Sequence, residues 1–488
     1  MFASCADLEL PLVVSDAPSS ADRRAHPYGV AMNGSDRSGG GRAAAFCFVV
    51  LVGAAGGRAQ APNPAPRPDL DLAMAAAEWL RGCAMDTEHG VAWAADPDGA
   101  ADADITLYHG SPGVVLFLLE LYATLTLDPE RSADAAAWLA LAGRGADHLA
   151  SCVPAVGDAV DASLYGGIAG LGFTLAEAHR FTRSEAHLGA ARACVARLHE
   201  SARERGAGVD WNDVNDIIAG TAGTGLFLLY TAARLEDDDA LDLARRAGRR
   251  LIELAEPRGD DGLDWPMARG LERRYPNFSH GTAGVCFFLA RLHQVTGDAE
   301  CLATAEAGAR YLASLTRDGL VPHHLPGGEE LFYLGWCHGP AGTARLYDLL
   351  AELGDSEPWA TRSTRAVSAV LDSGIPAARV PGLWNTVGQC CGTAGVGEML
   401  LARAAATSTR GDALDVAAGL AEDLRERATH DERGARWPQA EHRVRPDLIV
   451  AQTGYMQGAA GVGIFLLHLD GARRGRRPAI VLPDGGTD

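Results

Sequence analysis

Basic charge is scarce in this chain. It has 43 Lys and Arg against 63 Asp and Glu over 488 residues, a formal net charge of −20. Such a protein repels a polyphosphate backbone, so nucleic acid is excluded as a partner. Long hydrophobic runs are missing too. No apolar stretch reaches the roughly 18–20 residues of a membrane span. Cysteine is sparse. Ten residues at irregular spacing, apart from the adjacent Cys390–Cys391 pair, exclude a disulfide-built scaffold. The 58 glycines and 24 prolines show no period of three, which excludes a collagen-like chain. A 47% hydrophobic and 22% charged composition is globular rather than disordered.

Glycine is what the chain has in excess, at about 12% against the usual ~7%. Its placement is regular. A Gly-x-(Ala/Pro)-Gly pattern starts at Gly110, Gly167, Gly220, Gly281, Gly339, Gly392 and Gly458, at intervals of 57, 53, 61, 58, 53 and 66 residues. One such tetrapeptide means nothing, but seven at near-constant spacing mark a repeat. Each opens an apolar run, such as Val114–Tyr122, Leu226–Ala232, Val285–Leu292 or Val462–Leu469. These runs are apolar almost all round and read as buried helices. Glycine at such a helix start allows special backbone angles and close approach of neighbours. Between the corners lie Ala-rich amphipathic stretches: Leu70–Cys83, Asp134–Ala150, Glu185–Glu204, Asp237–Ala255, Asp298–Thr316, Pro358–Asp372 and Asp412–Thr429.

The expected fold is therefore all-α: seven helix pairs without strands, closed into an α/α toroid whose inner ring is seven apolar helices. A linear solenoid would not need every second helix to be apolar all round. The toroid is expected over residues 67–470. Residues 471–488 hold Arg473, Arg474, Arg476 and Arg477 and are expected to be a solvated basic tail. Residues 1–66 form a low-complexity extension. Within it Arg42–Ala61 joins arginine, an apolar run and an Ala-Gln-Ala site, the parts of a secretory signal. A mis-assigned start within an Ala-rich chain accounts for the same residues.

If all corners converge on one end of the ring, the residues just before each first glycine share a pocket. Those neighbours are His109, Gly166, Ala219, His280, His338, Cys391 and Gln457, preceded by Tyr108, Tyr165, Ile218, Ser279, Cys337, Cys390 and Met456. Cys337, Cys390 and Cys391 fall on two successive corners. Three thiolates suit zinc and leave its fourth position open. The alternative is small apolar cysteines in a helical core. His338 is a ligand, a neighbour of the ligands or a substrate contact. His280 can move protons near neutral pH, or is a hydrogen-bonded core histidine. Asp216 enters the same pocket, or is a turn carboxylate. His109 and Gln457 complete the pocket lining as corner hydrogen-bonders. Trp265 and Trp437 read as loop anchors.

The seven corners, with Trp336-Cys337-His338-Gly339 and Cys390-Cys391-Gly392, resemble the LanC-like proteins, the lanthionine synthetase C cyclases, from about Asp69 to Asp470. The resemblance implies the same toroid and one zinc per chain, held by Cys337, Cys390 and Cys391. It implies His280 as proton-transfer residue and Asp216 as pocket aspartate. The second corner is usually Cys-His, and the Cys-Cys here is similar to three-cysteine cyclase domains otherwise fused to a dehydratase. The implied activity adds a peptide cysteine thiol to dehydroalanine or dehydrobutyrine, with a separate dehydratase as partner and the cytoplasm as compartment. Relatives outside lanthipeptide pathways imply an alternative, a zinc-thiol protein that binds glutathione or adds thiols to dehydrated residues in damaged proteins. A carbohydrate-active toroid would need paired carboxylates. Among the pocket candidates here, Asp216 alone is acidic.

Overall fold

A computed structural model describes residues 66–99, 102–155, 161–354, 356–377, 386–406, 410–440 and 445–485. The signal-like segment Arg42–Ala61 lies outside the described residues. Fourteen α-helices occur among those described. Seven are the amphipathic stretches: α1 (Pro68–Gly82), α3 (Ser132–Cys152), α5 (Glu185–Ser201), α7 (Asp238–Glu253), α9 (Ala299–Leu315), α11 (Ser356–Leu371) and α13 (Arg410–Arg427). The other seven begin at the glycine corners: α2 (Ser111–Thr126), α4 (Ile168–Thr182), α6 (Thr221–Arg234), α8 (Thr282–Thr296), α10 (Pro340–Leu353), α12 (Thr393–Ala406) and α14 (Ala459–Arg473). Two outer helices, α7 and α9, start on aspartate caps. Asp237 accepts from the Ala240 amide and Asp298 from the Glu300 amide.

The even-numbered helices touch in sequence order from α2 to α14, and α14 touches α2 again. The chain is thus a closed α/α toroid with an apolar inner ring. Every residue of α8 from Thr282 to Ala290 is buried. Small-to-large matching continues round this ring. Gly172 of α4 accepts the Phe227 ring of α6, and Gly225 of α6 accepts Phe288 of α8. Gly397 of α12 accepts Phe465 of α14, and Gly463 of α14 accepts Phe117 of α2. Each inner helix packs mainly on the outer helix that follows it, while α1 covers α14. Ion pairs lock that closure. Arg67 reaches Asp128 and Asp470, and Asp69 of α1 takes Arg425 and Arg473.

Two expectations need correction. The chain is not free of strands. Four three-residue antiparallel hairpins follow outer helices, pairing Met85–Thr87 with Gly90–Ala92, Arg203–Arg205 with Gly208–Asp210, Glu256–Arg258 with Gly262–Asp264, and Thr429–Asp431 with Gly434–Arg436. Each leads into a tryptophan whose indole N–H donates to a carbonyl in the last turn of the preceding outer helix. The bonds are Trp93 to Leu80, Trp211 to Leu198, Trp265 to Leu251 and Trp437 to Leu424, at 2.7–2.8 Å. Trp265 and Trp437 are thus loop anchors. Second, residues 471–485 are not a solvated tail. Ile480 is 3% exposed and Asp484 is fully buried. The arginines mislead because Arg473 and Arg474 pair with Asp69 and Asp470, while the apolar Ala479–Pro483 turns inward. Among the described residues, no helix is long and apolar enough to cross a membrane.

Candidate metal and proton-transfer site

The corners are built by steric necessity. In six of them the second glycine sits where an added Cβ would lie 1.8–2.1 Å from the carbonyl oxygen six residues earlier, as at Gly342 against Trp336. The first glycines are equally crowded by backbone. Their own backbone is extended, with φ between −114° and −157° at the five helix starts from Gly110 to Gly339 and at Gly458. Close approach, not an unusual backbone angle, is what demands glycine here.

Each tight corner hands a backbone hydrogen bond to the next. Tyr108 donates to Tyr165, Tyr165 to Ile218, Ile217 to Ser279, Ser279 to Cys337, Cys337 to Cys390, Cys390 to Met456, and Met456 back to Tyr108, at 2.9–3.2 Å. This closed circuit runs through the positions two residues before each first glycine, joined at corner three by Ile217, which stands three before Gly220. It is the physical reason that side chains some 50–60 residues apart in sequence gather at one end of the ring.

Corners five and six bring the thiols together. The Cys337 amide donates to the Cys390 carbonyl at 3.0 Å. Gly335, where a Cβ would meet the Cys391 backbone at 2.9 Å, lets the two corners close. The Cys391 Sγ lies 3.1 Å from that of Cys337 and 3.4 Å from that of Cys390, and all three sulfurs fall within 4.8 Å. Cys337 and Cys390 are buried and Cys391 is half-buried. A tetrahedral ion with Zn–S bonds of ~2.3 Å holds its sulfurs about 3.8 Å apart, so this donor set fits one such ion. The thiols also precede the N-termini of α10 and α12, where free N–H groups and the helix dipole favour thiolate. The three cysteines could hold a metal ion.

One corner earlier, His280 and Asp216 meet in full burial. The His280 Nδ1–H donates to Asp216 Oδ2 at 2.6 Å, and the other carboxylate oxygen accepts the Ala219 amide at 2.7 Å. The His280 Nε2 has no hydrogen-bond partner among the described residues. A carboxylate on Nδ1 and an open Nε2 is an arrangement that can pass a proton through Nε2.

His338 belongs to a group of rings that sequence reasoning did not assemble. It stacks on His323 with centroids 3.9 Å apart and lies 5.6 Å from both His280 and Tyr275. Neither of its nitrogens has a hydrogen-bond partner among the described residues. Burial, then His323 and His280, hold it well below the usual histidine pKa, so it is neutral. Tyr275 and Tyr333 complete the group. Both lie six residues before a first corner glycine, a repeat position that could have marked them. The adjacent His323-His324 pair was the only local signal of its loop. His109 and Gln457 converge elsewhere, on Tyr108. His109 packs against its ring at 4.4 Å, and Gln457 Nε2 donates to its hydroxyl at 3.2 Å.

Residues 101–482 match the profile of the family described as lanthionine synthetase C-like protein. Among solved structures the chain is similar to nisin cyclase, at 17% identity and a TM-score of 0.53, covering 75% of this chain and 89% of that one. It also aligns with an inactive variant of the α-1,6-mannanase GH76A of Salegentibacter sp. HEL1_6, at 11% identity and a TM-score of 0.46, over 83% of this chain and 99% of that one. At 17% identity the likeness to nisin cyclase is one of fold. No curated protein sequence matches the chain.

Proposed function

The chain belongs to the lanthionine synthetase C-like family, and from that premise we propose that it is a zinc-dependent cyclase forming thioethers in a dehydrated peptide. The observation that carries the proposal is the convergence of three cysteine sulfurs within 4.8 Å, one corner away from a buried His280–Asp216 pair. Cys337, Cys390 and Cys391 are the proposed ligands for one zinc per chain. When bound, zinc supplies Lewis acidity that keeps a thiol of ordinary pKa ~8.5 as thiolate at neutral pH.

The net change is an addition. A C–S bond forms at the alkene β-carbon of dehydroalanine or dehydrobutyrine, and the thiol proton ends on the α-carbon. The protein's own task is to handle that proton and the negative charge that develops before it arrives. His280 is the proposed carrier, using the Nε2 atom that has no competing partner among the described residues. Asp216 fixes the His280 ring through Nδ1 and so keeps Nε2 turned to the pocket as the proton-carrying atom. His338, neutral and buried against His323, offers a polar wall without a second positive charge. His109 and Gln457 are proposed to line the pocket on the Tyr108 side. The substrate peptide must already be dehydrated, so a separate dehydratase is the implied partner.

Purified protein should contain about one zinc per chain, and Cys337→Ala should lose it while remaining helical. His280→Ala should keep the metal and lose ring formation on a dehydrated peptide. Full zinc retention in Cys337→Ala would overturn the ligand assignment.

A further inference from the structure

Beyond α14 the chain does something a closed ring of helices does not require. After Arg473 it reverses and re-enters the ring. Arg476 donates to the Leu127 carbonyl at the end of α2, at 3.0 Å. The Ala479 and Ile480 amides donate to the Glu120 carboxylate, halfway along α2, at 3.0 and 2.6 Å. Arg180, near the end of α4, donates to the Ala479 carbonyl. Four residues later the Asp484 carboxylate is fully buried. Oδ1 accepts from the Tyr165 hydroxyl and Oδ2 from the Trp336 indole N–H, both at 3.0 Å. Arg345 of α10 donates to the Asp484 carbonyl at 2.8 Å and stands 3.5 Å from its carboxylate.

These partners fix the path. Glu120 is ten residues into α2, about 15 Å from the corner end at 1.5 Å per residue. Tyr165 and Trp336 stand immediately before their corners. From Ile480 the chain continues to a turn at Leu482–Gly485, which sets Asp484 beneath the side chains that Tyr165 and Trp336 send down from the corner end. Tyr165 belongs to corner two and Trp336 to corner five, nearly opposite positions in a ring of seven. Their rings meet edge to face at 5.3 Å with Asp484 between their polar tips. A residue that touches both occupies the axis.

We infer that Ala479–Asp484 is an internal strut in the lumen, and that Asp484 is a positioning residue for the Trp336–Cys337 corner. Trp336 is bonded to Cys337. Its indole is gripped from below by Asp484, while Cys337 is gripped from the side by the Cys390 carbonyl. The strut therefore forms the floor of the thiol site and sets the height of one of its three sulfurs. A second anchor holds the lower end. His468 lies between Glu398 and Glu120, 2.9 and 3.5 Å away, and Glu120 is the carboxylate that takes the strut's two amides. The inference depends on no bound metal.

The test uses full-length Asp484→Ala and Asp484→Asn, treated with a chelator. Two quantities are read by mass spectrometry: amide hydrogen exchange by segment, and alkylation of individual cysteines by iodoacetamide. In Asp484→Ala, exchange across residues 163–168 and 334–339 should rise at least tenfold, and Cys337 alkylation by a similar factor. Exchange at the corners 220–223 and 281–284 should stay unchanged, as should alkylation of the buried Cys194 and Cys286. Asp484→Asn, which keeps one acceptor, should fall between. A merely structural role would raise every segment and every cysteine together, and that result overturns the inference. So does wild-type exchange at both named corners in a folded variant. If Asp484→Ala does not fold, Asp484→Asn decides by the same criteria.

Discussion

The same chemical change, glycine to alanine, should have opposite effects at two positions, and the structure sets both signs. At Gly342, the second glycine of corner five, an added Cβ would lie 2.0 Å from the Trp336 carbonyl oxygen and 2.5 Å from Phe278 Cβ. Real Cβ atoms stay beyond about 3.0 Å from such neighbours, so the corner must open by about 1 Å. Both obstacles are held. The Trp336 indole is bonded to Asp484, and Phe278 is fully buried. Overpacking of this kind costs about 1–3 kcal/mol, and a backbone obstacle puts Gly342→Ala in the upper half of that range. At Gly189, inside α5 and exposed, nothing lies within 4 Å of the added atom. Alanine there only removes unfolded-chain freedom and should stabilise by roughly 0.5–1 kcal/mol. Urea unfolding followed by far-UV circular dichroism reads both as shifts in midpoint at constant slope. If Gly342→Ala stays within about 0.5 kcal/mol of wild type, the range of an ordinary surface change, the claim that glycine is demanded by close approach is refuted.

Three other perturbations test other levels of the structure. Glu398 and Glu120 outweigh the effect of burial on His468 and push its pKa up to about 10 from 6.5. The stability it contributes is therefore full below about pH 6.5 and lost as pH rises towards 10. His468→Gln should cost about 3–5 kcal/mol near pH 6.5, as for a broken buried pair. The deficit should shrink steadily at higher pH, and a pH-independent deficit in denaturation would contradict the assignment. Arg67→Ala removes two nearly buried ion pairs, one to Asp470 across the seam between α1 and α14 and one to Asp128 just beyond α2. It should lower stability by about 3 kcal/mol and raise exchange first in those two helices, read by hydrogen exchange. Asp216→Asn should retain metal, measured by elemental analysis, while ring formation falls by about 10²–10⁴-fold, the usual worth of general acid–base help.

What could be read from the sequence was whatever repeats. Seven corners gave seven inner helices, and the apolar surround of Val285–Leu292 identified them as a wall rather than a surface. The outer helices begin and end within a few residues of their amphipathic stretches, and the aspartate caps Asp237 and Asp298 mark two of their starts. What escaped notice does not repeat or is too short to have a period. A hairpin strand of three residues cannot show alternation, and its real signal was the tryptophan after it. The tail was judged by its four arginines. In the structure its environment is decided by Ile480 and Asp484, whose partners Glu120, Tyr165 and Trp336 are more than 140 residues away. His323 escaped for the same reason, since its stack on His338 depends on how a loop folds over corner five.

The circuit of backbone hydrogen bonds also explains why chemistry sits on one arc of a nearly symmetric ring. Every corner offers the same two positions before its first glycine, held by the same backbone contacts, so the scaffold itself prefers none of them. Corners four to six carry His280, then Cys337 and His338, then Cys390 and Cys391, and corner three brings Asp216 under His280. Corners one and seven carry Tyr108 and Gln457, bonded to each other, and corner two carries Tyr165, committed to Asp484. Neighbouring corners are the ones joined by a backbone bond, as Cys337 is to Cys390. Only adjacent corners can therefore bring short side chains such as cysteine within contact. A fourth thiol on corner seven, next to Cys390, could still join the cluster. One on corner two could not, because Trp336, Tyr165 and Asp484 already fill the axis between it and Cys337.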